Sequence, residues 1–103
     1  MSSMKFLVIA RQSPIAVSTK EFYEIVQGEA EWAKKLRANG NLEAIYSFPE
    51  GGGMFIGNFD SADDLLGAVH TFPDRWRMEF EIHALADFDK AVADGIQGLA
   101  AQL

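Results

Sequence analysis

The chain has 103 residues, of which 49% are hydrophobic and 23% charged, and this length suits one ordinary domain. Nine Lys and Arg residues against fifteen Asp and Glu residues give a formal net charge of -6, which disfavours nucleic acid and anionic membranes as partners. The lack of cysteine excludes disulfides and thiolate chemistry and fits a cytoplasmic protein. The apolar segment within residues 1–11 is too short for a signal peptide or a membrane span. We therefore expect one small acidic domain, residues 1–103.

The first part of the chain predicts a strand followed by a long helix. Lys5–Arg11 is a continuous apolar run that ends before a Ser-Pro pair, which is typical of a strand covered on both faces. Thr19–Asn39 has apolar residues at helical spacing on one side and polar residues on the other, and Gly40 then supplies a stop. We expect the apolar stripe to pack on a sheet. It comprises Phe22, Ile25, Val26, Ala33 and Leu36.

The remaining chain predicts three more strands and two more helices. Leu42–Phe48 and Gly53–Phe59 are aromatic-rich runs on either side of a Pro-Glu-Gly-Gly loop, which indicates a hairpin. Ala62–His70 follows as a helix with acidic residues in its first turn. Met78–Leu85 alternates cleanly and predicts the fourth strand. Asp87–Leu103 predicts a C-terminal helix held by packing, because its two glycines weaken it.

The order βαββαβ with a final helix predicts a ferredoxin-like α+β fold. In this fold both main helices cover one face of a four-stranded antiparallel sheet, and the other face is bare. The first strand and the hairpin nevertheless carry apolar residues on both sides. A second copy of the chain is the simplest covering layer, so we expect a homodimer.

Three segments of the chain carry a resemblance to a known family. They are Gly28–Gly40 (GEAEWAKKLRANG), Asn58–Asp60 (NFD), and Phe72-Pro73 followed by Met78–Leu85 (MEFEIHAL). In this order they resemble muconolactone isomerase and its relatives among the dimeric α/β-barrel proteins. Each motif alone is weak, and the order carries the resemblance.

The resemblance implies a ferredoxin-like monomer whose sheet packs against a partner's sheet to close a dimeric α/β barrel, or a higher homo-oligomer. It also implies a pocket between the sheet and the first helix, where a small lactone from aromatic compound catabolism undergoes cofactor-free proton transfer. The isomerases carry a His where this chain has Leu7, an Arg-His pair where it has Glu43 and Ala44, and a segment with a His-Tyr pair where it has Gly51-Gly52-Gly53. The chain departs from the family pattern at these positions.

Glu29 is the candidate catalytic residue. Helical spacing places it seven residues after Phe22 and seven before Leu36, inside the apolar stripe, whereas Glu31 points the opposite way. Burial there raises the pKa of a carboxyl towards the range in which it can abstract and return a proton. The resemblance also implies an acid/base Glu at this position. The alternative is a Glu that reaches the sheet edge or pairs with an arginine.

Candidates for substrate binding come from the first strand, the helix and the hairpin. Arg11 ends the first strand and is a candidate to hold a substrate carboxylate, although strand ends also carry solvated arginines. Four aromatic residues are candidates to line a pocket, although such residues also build cores and interfaces. They are Trp32, Tyr46, Phe48 and Phe55.

The two histidines point to structure rather than to a metal site. His83 shares a strand face with Glu79 and Glu81, a pattern that fits a solvated outer face better than a proton relay or a divalent metal. His70 ends the second helix, where its charge suits the helix dipole. We therefore expect neither a metal nor another cofactor.

Our leading hypothesis is a cofactor-independent isomerase that moves a proton within a small organic acid or lactone. The first alternative is a cofactor-free monooxygenase or cyclase on an aromatic substrate, since one fold hosts several activities. The second is a non-catalytic, small-molecule-binding dimer. Assays with and without oxygen separate the two enzymes, and an ionised, solvent-exposed Glu29 would favour the binding protein.

Overall fold

The computed structural model describes residues 3–103, so the first two residues of the segment considered as a signal peptide lie outside the described residues. The predicted order of strands and helices is confirmed, and a short 3-10 turn precedes the last strand. No helix in the described part of the chain is both long and apolar enough to cross a membrane. The elements are β1 (Met4–Gln12), α1 (Thr19–Ala38), β2 (Leu42–Ser47), β3 (Gly53–Phe59), α2 (Ala62–His70), the 3-10 turn (Arg75–Arg77), β4 (Met78–Leu85) and α3 (Phe88–Ala100).

The four strands form one antiparallel sheet in the order β2-β3-β1-β4, which confirms the ferredoxin-like α+β fold. Alternate residues of each strand point to opposite sides of the sheet. The covered face, under α1 and α2, carries Phe6, Val8, Ala10, Gln12, Phe55, Phe59 and Phe80. The open face carries Lys5, Leu7, Ile9, Arg11, Tyr46, Met54, Ile56, Glu79, Glu81 and His83.

The hydrophobic core lies between the covered face and the two helices. α1 begins at a capping box, in which the Ser18 hydroxyl accepts from the Glu21 backbone N–H and the Glu21 carboxylate accepts from Ser18. Only its C-terminal half reaches the core, through Trp32 and its neighbours. The core residues are Phe6, Val8, Trp32, Ala33, Leu36, Phe55, Phe59, Leu65 and Val69.

The N-terminal half of α1 differs from the prediction. Phe22 and Val26 are 50% and 47% exposed, so the expectation that the whole apolar stripe packs on the sheet is wrong for these two residues. The physical reason is a cavity: at this end, α1 stands over open space and both side chains line it. Leu36, at the other end of the stripe, is buried as expected.

α3 is the other departure from prediction. It begins at Asp87, whose carboxylate accepts from the Lys90 backbone N–H, and it has no buried residue. Its apolar side chains lie in solvent, with Phe88 76% and Leu99 66% exposed. The expectation that packing holds this helix is therefore wrong within the single chain, because α3 projects from the sheet in a molecule that extends 63 Å along its longest axis.

Coverage of β1 is also one-sided in the single chain. Leu7 and Ile9 point to the open face and stay partly exposed, whereas Val8 on the covered face is fully buried. The expectation of coverage on both faces thus depends on a second copy of the chain, and it stays a prediction.

Candidate active site

A cavity of about 330 Å³ lies between α1, the β2–β3 hairpin and the segment that leads into β4. This volume is at the small end of the range for ligand pockets, so the cavity suits a small organic molecule. The apolar residues that border it are Phe22, Val26, Trp32, Ile45, Met54, Phe55, Phe72, Met78 and Phe80. The polar ones are Gln12, Glu29, Tyr46, Ser47, Asp74 and Arg77.

Glu29 owes its position to a close contact between α1 and the segment before β4. A Cβ on the preceding Gly28 would lie 2.9 Å from the Cγ of Pro73, so only glycine lets the helix approach this near. Glu29 is then partly buried at the cavity wall. Within residues 3–103 its carboxyl makes no hydrogen bond and no ion pair, which leaves both oxygens available to a ligand.

The surroundings of Glu29 favour its protonated form. Burial raises the pKa of Glu29 above its ordinary value, and the nearby negative charge of Asp74 raises it further, while Arg77 acts in the opposite direction. A carboxyl with a raised pKa accepts and releases protons nearer to neutral pH. The geometry therefore provides a group that can act as a general base or acid inside the cavity.

Asp74 and Arg77 form a buried ion pair at the base of the cavity, where they are 1% and 3% exposed. The pair is bidentate: Arg77 Nε donates to Asp74 Oδ1 at 2.7 Å, and Nη2 donates to Oδ2 at 2.8 Å. The 3-10 turn brings these residues, three apart in sequence, onto one side. The hydrogen bonds to Asp74 raise the pKa of Arg77, so this arginine stays charged.

The remaining donors of Arg77 are also satisfied. Nη1 donates to the Ile15 carbonyl at 2.9 Å. The amide of Gln12 satisfies both of its ends when its oxygen faces Arg77, and that oxygen then accepts from Nη1 and Nη2 at 3.1 Å each. All five N–H groups of the guanidinium thus have partners within the protein. Arg77 therefore supports the cavity wall and has no donor left for a ligand.

Aromatic rings packed edge to face give the cavity a defined shape. Trp32 contacts Phe55 and Phe72 with ring centroids 5.4 and 5.0 Å apart, and Phe72 contacts Phe80 at 6.0 Å. The Trp32 indole N–H donates to the Ala68 carbonyl at 3.0 Å, so Trp32 is oriented by α2. Its contribution to a ligand is a fixed apolar surface.

The glycines of the hairpin tip form the wall next to β1. Gly51 and Gly52 have φ angles of 107° and 79°, which side-chain-bearing residues rarely adopt. A Cβ on Gly52 would also collide with the carbonyl oxygen of Ala10. Backbone hydrogen bonds from Phe48 to Gly52, at 2.9 Å, and from Gly51 to Phe48, at 3.0 Å, close the turn. The glycine run thus lets the hairpin close tightly against the cavity.

The structure separates the predicted site residues into two groups. Glu29, Trp32 and Phe55 line the cavity, whereas Phe48 lies in the hairpin turn outside it. Tyr46 borders the cavity, but its side chain points to the open face of the sheet. Arg11 is on the open face, where its Nη1 lies 2.8 Å from Oε1 of Glu81. The alternation of β1 directs every odd-numbered residue away from the cavity, and we therefore assign Arg11 no role in it.

Sequence reasoning missed Asp74 and Arg77 as site residues. The available signal was an acid and a base three residues apart, directly before an alternating strand. Arg77 donates to the carbonyl of Ile15, 62 residues away in sequence, and no local pattern encodes such a contact. Phe72 and Phe80 were missed for the same reason.

The polar residues of β4 lie on the open face, as the alternation predicted. His83 Nε2 is 2.5 Å from Oε2 of Glu81, and both side chains are exposed. The hydrogen bond to His83 lowers the pKa of Glu81, and the bond to Arg11 lowers it further. Within residues 3–103, no group of three or more His, Asp or Glu residues is arranged to hold a metal ion. His70 lies in the last turn of α2, where its charge suits the dipole.

Comparison with solved structures identifies proteins of the same fold. The chain shares the fold of muconolactone isomerase. A crystal structure of that enzyme aligns with a TM-score of 0.73 at 17% identity, over 82% of this chain and 90% of that one. A NIPSNAP family protein of unknown function from Agrobacterium tumefaciens aligns at a TM-score of 0.45 and 17% identity, covering 82% and 90%. The hydroxynitrile lyase from Passiflora edulis gives 0.42 and 12%, covering 84% and 95%. No family model and no curated protein matches the sequence.

Proposed function

We propose that the protein is a cofactor-independent isomerase that moves a proton within a small organic acid or lactone, as the name of its structural neighbour suggests. The observation that carries the proposal is Glu29, a carboxyl without a hydrogen-bond or ion-pair partner within residues 3–103, on the wall of a small aromatic cavity. The fold alone does not define a reaction, so the residues of the site carry the proposal.

The proposed step is a proton transfer between two carbon atoms of the substrate. The Glu29 carboxylate removes a proton from the carbon next to the carbonyl, and the electron pair of that C–H bond delocalises into the carbonyl and the adjacent double bond. The protonated Glu29 then returns the proton at a second carbon, so atoms and charge balance. The aromatic rings hold the substrate plane, and the raised pKa of Glu29 helps it keep the proton between the two steps.

The test is hydrogen exchange in D₂O, followed by NMR on a panel of five-membered unsaturated lactones. Glu29→Gln keeps the shape of the side chain but cannot carry the proton, so exchange and isomerisation should fall by about 10²–10⁴-fold. Glu31→Gln is the matched control, because Glu31 is exposed on the opposite side of α1. Equal rates for both variants would contradict the proposal.

A second candidate is a cofactor-free monooxygenase or cyclase acting on an aromatic substrate. The edge-to-face cluster of Trp32, Phe55, Phe72 and Phe80 favours it, because such walls accept a flat aromatic ring. Turnover that requires oxygen identifies the monooxygenase. Binding without any turnover would instead support the non-catalytic small-molecule binder.

We also propose that the working unit is a homodimer formed through the open faces of two sheets. The open face carries apolar side chains in contact with solvent, including Tyr46, which is 65% exposed. A second sheet against this face would cover them and close a barrel. The proposed setting is the cytoplasm, where a chain without cysteine needs no disulfide.

A further inference from the structure

We infer that the cavity binds an uncharged ligand and disfavours a ligand that carries a carboxylate. This inference rests on the proposed function in taking the cavity as the substrate site, and it narrows the proposed class from organic acids and lactones to neutral carbonyl compounds such as lactones and esters. It follows from the charges around the cavity and from which hydrogen-bond donors are still free.

The cavity offers a carboxylate few cations. Arg77 is the one Lys or Arg residue that lines the cavity within the described part of the chain. Arg11 lies on the other side of the sheet, paired with Glu81, and Lys5 is paired with Glu43 at 3.0 Å. A ligand carboxylate in the cavity would therefore have Arg77 as its nearest possible counter-ion.

The hydrogen-bond donors of Arg77 are already occupied. Asp74 takes two of its N–H groups, the Ile15 carbonyl takes one, and the Gln12 oxygen takes the last two. A ligand carboxylate would have to displace one of these acceptors from a guanidinium that is 3% exposed. Breaking the pair with Asp74 would leave a buried carboxylate without its partner, which costs more than the new contact provides.

Negative charge at the cavity also disfavours a carboxylate ligand. Asp74 is neutralised by Arg77, but Glu29 has no bonded counter-ion within residues 3–103, so its ionised carboxyl would repel an entering anion. It would also lose part of its hydration against the apolar, aromatic walls, which is costly for an ion that gains no partner. Electrostatic repulsion and desolvation therefore act in the same direction against a carboxylate.

A neutral carbonyl compound meets none of these penalties. Ser47 lines the cavity on the covered face of the sheet, and a neutral donor such as its hydroxyl suffices for a carbonyl oxygen. A ring of five or six atoms fits a volume of about 330 Å³. The cavity thus offers apolar walls, neutral polar groups and one proton-exchanging carboxyl.

The experiment compares two probes of nearly the same shape, methyl phenylacetate and phenylacetate. The chain has two Trp residues, and the indole N–H signal of Trp32, identified with Trp32→Phe, reports binding in ¹⁵N NMR titrations. At neutral pH the ester should bind about tenfold or more tightly than the carboxylate. Because the readout is binding, it is independent of whether the protein turns over a lactone.

Two variants test the electrostatic reason. Val26 lines the cavity and is 47% exposed, so a long side chain fits there without disturbing the core. Val26→Lys should improve phenylacetate binding about tenfold, whereas the neutral control Val26→Gln should not. Glu29→Gln should also reduce the difference in affinity between methyl phenylacetate and phenylacetate.

Equal affinity of the wild-type protein for both probes, tighter binding of phenylacetate, or binding of neither probe would overturn the inference. So would equal effects of Val26→Lys and Val26→Gln. If the ester is favoured but no lactone exchanges its protons, the proposed isomerase activity fails while the charge selection stands. If a lactone carrying a carboxylate exchanges rapidly, the activity stands and the charge selection fails.

Discussion

Two arginine–carboxylate pairs of the described residues lie on opposite sides of the sheet, and they differ in burial far more than in length. Arg77 and Asp74 meet at 2.7 Å with side chains 4% and 2% exposed, whereas Arg11 and Glu81 meet at 2.8 Å with 59% and 45% exposed. Water screens the second pair and not the first. The comparison teaches that an ion pair supports this fold where it is enclosed and has every donor satisfied.

The largest effect should come from opening the buried pair. Asp74→Ala leaves the Arg77 charge enclosed without its carboxylate, and we expect a loss of about 3–5 kcal/mol in the free energy of unfolding, measured by urea denaturation. Glu81→Ala removes the corresponding carboxylate on the open face and should leave the unfolding curve nearly unchanged. Similar losses for both variants would remove the contrast between the two faces.

The next effect concerns the half of α1 that packs on the covered face. Leu36 is 8% exposed in the core, so Leu36→Ala should cost about 2–5 kcal/mol of unfolding free energy. Its exposed neighbour Lys35 provides the control, since Lys35→Ala removes no core contact. A comparable loss for Lys35→Ala in the same denaturation experiment would show that the packed face of α1 has been misassigned.

The open face should control assembly rather than folding. Ile9→Glu places a charge at the centre of the proposed dimer interface, and the dissociation constant should rise about tenfold or more. Light scattering across a concentration series measures this, with Glu31→Gln on the exposed side of α1 as the control. A wild-type protein that is folded and monomeric at micromolar concentration would exclude the dimer.

The smallest expected effect is the pH dependence that Glu29 adds to stability. Its pKa is higher in the folded than in the unfolded chain, so this carboxyl favours folding fully below the unfolded value. The contribution is lost as pH rises through the folded value. Glu29→Gln should therefore be more stable than the wild type near neutral pH, and the difference should shrink in acid. Melting temperatures of both proteins across pH 4–8 check this, and a constant difference would contradict it.

The sequence contained enough information for the fold and for one half of the site. Met78–Leu85 and Gly53–Phe59 were located to the residue, because alternation and turn residues are local signals. Glu29 stood out because a carboxyl interrupted an apolar stripe. The polarity of that stripe could not show that Phe22 and Val26 border a cavity, since a cavity wall and a core wall have the same composition.

Long-range packing explains what could not be predicted. Asp74 precedes the 3-10 turn and Arg77 ends it, and the long-range partners of Arg77 are Ile15 and Gln12, far away in sequence. α3 was given a packed face because its apolar residues repeat at helical spacing, yet the single chain offers that face no surface. A periodic pattern indicates that a helix needs a partner and does not indicate whether its own chain provides one.

Glu29, which has no hydrogen-bond or ion-pair partner within residues 3–103, is proposed as the proton carrier on the cavity wall. Carbon-detected NMR titration of the Glu29 carboxyl, assigned by comparison with Glu29→Gln, tests it most directly. We expect the pKa of Glu29 to lie clearly above the ordinary value of 4.5. A pKa at or below that value would show that Glu29 is solvated or paired, and it would contradict the role of Glu29 as the proton carrier.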